Sequence, residues 1–123
     1  MMQKKAPVEI EKTETYTIIK IRPQYKLRDT ATVIQRVMAS IANGQETDAL
    51  LDIGALAIMT TADKTLIETL DSIATQLNIN MSLINPKPGV KNYIMNSGLN
   101  QKVSLFETMY DYAQSRQFRY FDV

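Results

Sequence analysis

The run from Ala49 to Lys64, ALLDIGALAIMTTADK, constrains the fold more than any other stretch of this chain. From Ala49 to Ile58 it is nearly all apolar apart from Asp52, which predicts a central strand covered on both faces. A polar turn follows, Met59-Thr60-Thr61-Ala62-Asp63, and then apolar residues return at helical spacing. Leu66, Ile67, Leu70, Ile73, Ala74 and Leu77 form one stripe, with Lys64, Glu68, Asp71, Ser72 and Gln76 outside it. A buried strand that delivers a polar turn to a helix N-terminus makes a natural binding site. Backbone N–H groups there lack intrahelical partners, and the helix dipole favours negative charge. Thr60 or Thr61 is expected to cap this helix, with Asp63 set against its dipole.

The flanking segments alternate in the same way. Residues 1–7 read as a short disordered lead. Val8 to Lys12 alternates as a first strand, and Thr15 to Arg22 is a second, ended by Pro23. Its Tyr16, Ile18 and Lys20 face opposite to Thr17, Ile19 and Ile21, with Glu14 in the hairpin turn. From Asp29 the period becomes helical, through Val33, Ile34, Val37, Met38 and Ile41, with Asp29 or Thr30 as cap and Asn43-Gly44 as stop. Asn78 to Asn80 closes the second helix, and Met81 to Ile84 is a short strand before Asn85-Pro86-Lys87-Pro88. Pro88 opens a third helix carrying Val90, Tyr93 and Ile94, which ends at Ser97-Gly98-Leu99 with Gly98 left-handed. Val103 to Phe106 is a last strand, and Thr108-x-x-Asp111 resembles a capping box opening a final helix. A competing start, Ser104-x-x-Glu107, would replace that strand with helix. The order β-β-α-β-α-β-α-β-α predicts an α/β fold: an initial hairpin, then a mostly parallel sheet of four to five strands with about four helices.

Composition narrows the chemistry. The 123 residues suit a single domain, here placed at 8–117, with an aromatic tail at 118–123. There is no histidine and no cysteine, so imidazole bases, thiolate nucleophiles, disulfides and zinc sites of the N/S type are all excluded. No catalytic residue, metal site or cofactor is expected. The formal net charge is +1, with scattered basic residues, which argues against nucleic acid and against an anionic membrane surface. No apolar run approaches the ~20 residues a membrane-spanning helix needs. A cytoplasmic location is the expectation.

LLDIGALAIM, the polar turn and helix after it, MSLINPKPGVKNYIMNSGLN and SLFETMYDYAQ, in that order and spacing, resemble the STAS domain. That fold is shared by bacterial anti-sigma factor antagonists and the cytoplasmic tails of sulphate transporters. The resemblance implies a non-enzymatic regulator that docks an anti-sigma factor, a serine/threonine-kinase-like protein, through the turn 60–64 and the helix after it. A homodimer is a further candidate. In many members the turn reads Asp-Ser-Ser-Gly or Asp-Ser/Thr-x-Gly, and a hydroxyl there is phosphorylated by the partner. Aligned without gaps from Leu51, Thr60 falls on that Asp, Thr61 on the first Ser, Ala62 on the usual acceptor and Asp63 on the Gly. The usual hydroxyl is absent, and a slip of one residue would place Thr61 on it.

The candidate contact turn is therefore Thr60, Thr61, Ala62, Asp63 and Lys64. Thr61, Thr60 and Thr65 are the candidate acceptors, and Asp52, Asn85 and Glu68 lie on the expected rim. Asp52 is expected at a strand edge or accepting bonds from a neighbouring loop, because a buried unpaired carboxylate is costly. Asn85 reads first as a turn residue. An alternative reading is a structural or accessory subunit of a stress-signalling assembly or a membrane transporter, without a phospho-switch of its own.

Overall fold

The computed structural model describes residues 6–44 and 47–121, with side chains through residue 115. Five strands form one sheet in the order β1-β2-β3-β4-β5. These are β1 (Val8–Lys12), β2 (Tyr16–Ile21), β3 (Asp48–Asp52), β4 (Asn80–Ile84) and β5 (Ser104–Phe106). The β1–β2 pair is antiparallel and the other three pairs are parallel, as the alternation of periods predicts. The hairpin lacks an Asn-Gly turn, but Thr13 supplies the same function. Its Oγ1 accepts from Tyr16 N at 3.1 Å and from Thr15 N at 3.3 Å, while Thr13 N donates to Tyr16 O at 2.9 Å. Of the lead expected at 1–7, residues 1–5 lie outside the described residues. Ala6 and Pro7 accept hydrogen bonds from Arg22.

Helices α1 (Leu27–Ala42), α2 (Thr61–Gln76) and α3 (Pro88–Ser97) bury one stripe each against the sheet face that carries Ile19, Ile21, Ala49, Leu51, Met81 and Leu83. The opposite face carries Tyr16, Ile18, Leu50, Ile84 and Phe106 and is met by Met109 and Tyr112 of α4 (Met109–Phe121). This is why β3 reads as apolar on both faces. Gly98 stops α3 with φ 79, as predicted. Thr108 receives Asp111 N at 3.1 Å, so the strand 104–106 stands and the competing helix start at Ser104 does not. The aromatic tail is the continuation of α4 as far as Phe121. Its side chains, including Phe118, Tyr120 and Phe121, lie outside the described residues.

Two expectations need correction. α1 begins at Leu27 with Lys26 as N-cap, not at Asp29 or Thr30. Asp29 works from inside the first turn, its carboxylate accepting Lys26 N at 3.0 Å, the same donor chemistry from three residues further on. Thr30 is buried and donates to Leu27 O at 2.6 Å. The apolar run Ala49–Ile58 is also not one strand. β3 ends at Asp52, where the carboxylate takes Gly54 N at 2.9 Å and turns the chain out of the sheet. Ile53, Leu56 and Met59 continue into the core from an irregular loop, while Ala57 and Ile58 face solvent.

Candidate functional site

The loop from Ile53 to Thr60 and the first turn of α2 lie at the C-terminal end of the parallel strands, where open α/β sheets present their ligand and partner sites. The loop is anchored from below. Ile53 N donates to Ile84 O at 3.1 Å. Asp52 uses both oxygens, one for Gly54 N and the other for Asn85 Nδ2 at 3.1 Å. Asn85 adopts φ 62, a left-handed conformation that asparagine tolerates better than most residues. A side chain at Gly54 would meet Asp52 Oδ1 at 3.1 Å and Asn85 O at 3.3 Å, so the three residues form one tightly fitted junction. Asp52 thus accepts bonds from neighbouring loops, one of the two placements expected of it. Among the described residues no cluster of three acids is arranged to hold a metal.

From that junction the chain rises to a reciprocal cap. Thr60 Oγ1 accepts Asp63 N at 3.2 Å, and Asp63 Oδ2 accepts Thr60 N at 3.0 Å. Thr60, not Thr61, is therefore the N-cap, and two of the orphan donors at the start of α2 are satisfied at once. Thr61 is exposed, and its Oγ1 receives the Tyr93 hydroxyl of α3 at 3.4 Å. Ala62 is exposed. Lys64 is half-buried, and Thr65 donates to Thr61 O at 3.1 Å. Glu68, one turn beyond Lys64, pairs with Lys102, which lies just before β5. That hydrogen bond is the main cause holding the Glu68 carboxyl below its ordinary 4.5; desolvation opposes it, and weaker Coulombic attraction to Lys102 and then Lys64 adds to the lowering.

The structure thus joins Asp52 to Asn85 and Thr60 to Asp63, and it sends Glu68 to a different neighbour. Sequence reasoning did not connect Tyr93 to the turn. Its place beside Ile94 on the apolar stripe of α3 gave the ring a packing role, and nothing local announced the hydroxyl's partner 32 residues away. It also missed the groove that flanks the turn, because one wall comes from the β2–α1 connection.

No family model matches the sequence, and no curated protein does. Solved structures do match. The unphosphorylated anti-sigma factor antagonist SpoIIAA superposes with a TM-score of 0.65 at 16% identity, over 89% of this chain and 96% of that one. An anti-sigma-factor antagonist (STAS) domain protein from Planctomyces limnophilus gives 0.68 at 9% identity, over 88% and 96%. The chain has the STAS fold. The murine Solute Carrier 26 family member A9 anion transporter, in its inward-facing state, matches over 87% of this chain but only 18% of its own, with a TM-score of 0.67 at 17% identity. The same STAS fold therefore occurs both as a small separate chain and within a far longer transporter. No described helix of the present chain is long and apolar enough to cross a membrane.

Proposed function

We propose that this chain is a non-catalytic cytoplasmic regulator that docks a protein partner through the turn Thr60–Lys64 and the face of α2 that follows. One observation supports this reading above the others. The reciprocal Thr60–Asp63 cap locks a turn that offers Thr60, Thr61, Ala62 and Thr65 to solvent, on a fold found in anti-sigma factor antagonists. A surface held rigid in advance loses little entropy on docking. The partner class is an anti-sigma factor of the serine/threonine-kinase-like kind, and docking of this type needs no cofactor.

Among the three threonines, Thr61 is the acceptor best placed for a phospho-switch. Its exposed hydroxyl only accepts a long 3.4 Å bond from Tyr93, whereas Thr60 Oγ1 serves the cap and the Thr65 hydroxyl is turned onto Thr61 O at 3.1 Å. A phosphate there would add about −1.5 to −2 charges to the contact turn, repelling a partner surface shaped for a neutral one. The second reading, an accessory or structural subunit of a stress-signalling assembly or a transporter, is favoured by Ala62. In the ungapped alignment it stands at the usual acceptor, is exposed and carries no hydroxyl.

Calorimetry against serine/threonine-kinase-like anti-sigma factors, with and without ATP, followed by mass spectrometry, tests both readings. A complex is expected, weakened at least about tenfold by Ala62→Arg or Lys64→Glu, which is roughly 1.4 kcal/mol. Binding that neither substitution alters would move the interface elsewhere. A complex with no phosphate on Thr60, Thr61 or Thr65 would favour the accessory reading.

A further inference from the structure

We infer that the groove beside the capped turn receives an acidic segment of the partner protein that inserts one large apolar side chain. The inference rests on the docking reading above, because Thr60, Ala62 and Asp63 line the groove as well as the turn. The cavity has a volume of about 420 Å³. One wall is the β2–α1 connection, with Tyr25, Lys26 and Arg28; the other is the loop segment 55–58 together with Leu66 of α2. Leu27 and Leu56, both buried, complete an apolar lining.

Two observations specify the occupant. Ile58 is 75% exposed on the lip, flanked by Ala55 and Ala57, which have no bulk to cover it. A single exposed isoleucine needs no explanation, but one continuous with an apolar cavity enlarges a patch of the kind that marks interaction sites. The charge at the rim then selects the partner's sign. Lys26 and Arg28 are exposed and make no ion pair among the described residues. The acid of the rim, Asp63, is half-buried and already commits Oδ2 to the cap. An apolar anchor with acidic flanks satisfies both features. The anchor would carry affinity, and the rim charges would set association rate and selectivity.

The test uses the whole chain, isotopically labelled, titrated by NMR with three short synthetic peptides. The first has a central Phe flanked by Glu and Asp, the second replaces each acid by Lys, and the third replaces the Phe by Ser. The acidic Phe peptide is expected to shift amides of 25–28, 55–60 and 62–66 and to bind at least about tenfold tighter than its Lys twin. Ile58→Asp is expected to weaken it about 30-fold or more, the size of a hot-spot loss. Lys26→Glu with Arg28→Glu is expected to erase the preference for the acidic peptide while leaving the spectrum folded. Shifts confined to other surfaces, equal binding of the Lys or the Ser twin, or no binding would overturn the inference. The two levels are separable. If Lys64→Glu disrupts the complex with an anti-sigma factor while Ile58→Asp does not, the groove is wrong and the docking reading stands. If neither does, the docking reading itself fails.

Discussion

Replacing Tyr112 by Phe removes one hydroxyl from the face of the sheet opposite α1 and α2, and its cost follows from the surroundings. Tyr112, on the first turn of α4, is 5% exposed and donates to Oδ2 of Asp48, the first residue of β3 and itself only 3% exposed. The ring is held edge-on by Tyr16 and Phe106, each with centroids 5.7 Å away and planes at 76° and 81°, so Phe keeps the packing. What is lost is a buried hydrogen bond to a carboxylate, worth roughly 1.5–3 kcal/mol. The Thr47 hydroxyl, at 3.4 Å, is among the contacts Asp48 keeps, and a loss of about 2 kcal/mol, within that range, is expected. For a chain of this size that corresponds to a Tm lower by roughly 6–10 °C. Urea unfolding followed by far-UV circular dichroism measures it, and the slope m should stay unchanged because α4 remains docked. Asp48→Asn retains an acceptor, and the double variant should be less destabilised than the sum of the two by about 1 kcal/mol. A Tyr112→Phe protein within about 0.5 kcal/mol of the parent would refute the premise that this bond ties α4 to the sheet.

Thr17 lies at 0% exposure with an Oγ1 that has no hydrogen-bond partner among the described residues, so Thr17→Val should raise stability by about 1 kcal/mol in the same urea assay; a loss would mean that the hydroxyl is satisfied. Thr60→Ala should cost about 1 kcal/mol and Thr60→Ser much less, because only the side-chain acceptor for Asp63 N matters; equal losses would remove the cap from the account. Glu68 ionises more readily folded than unfolded, so its contribution is present above pH 4.5 and is lost as pH falls through the lowered folded value; Glu68→Gln should flatten the stability profile over that window, and raised salt should shrink the difference. Asp71 has the opposite sign, its carboxyl being raised above 3.8 by burial, so Asp71→Asn should stabilise the protein at neutral pH and lose that advantage in acid, as followed by thermal melts across pH.

Much of the candidate site was legible because its chemistry is local. A cap spans three residues, so Thr60 and Asp63 announce each other within one turn of sequence. The same holds for Thr108 and Asp111, and for Gly98 at the end of α3. Reading failed where two local signals competed. Asp29 sits at a helix start and has capping chemistry, but whether it acts as N-cap or from the third position depends on where Tyr25 and Leu27 find cover in the core. In the run Ala49–Ile58, hydrophobicity recorded burial correctly for Ile53 and Leu56 but could not tell a strand from a buried loop, since both remove apolar surface from water.

The sequence by itself determined the order of elements, the alternation of the two hairpin strands and the position of the polar turn before α2, all properties written in periods of two and 3.6 residues. The tertiary structure alone decided that Asp52 meets Asn85, that Tyr93 reaches Thr61, that Tyr112 closes on Asp48, and that Lys26 and Arg28 stand across a groove from Ile58. Each of these joins residues brought together by strand adjacency and helix packing, and no window along the chain contains both partners.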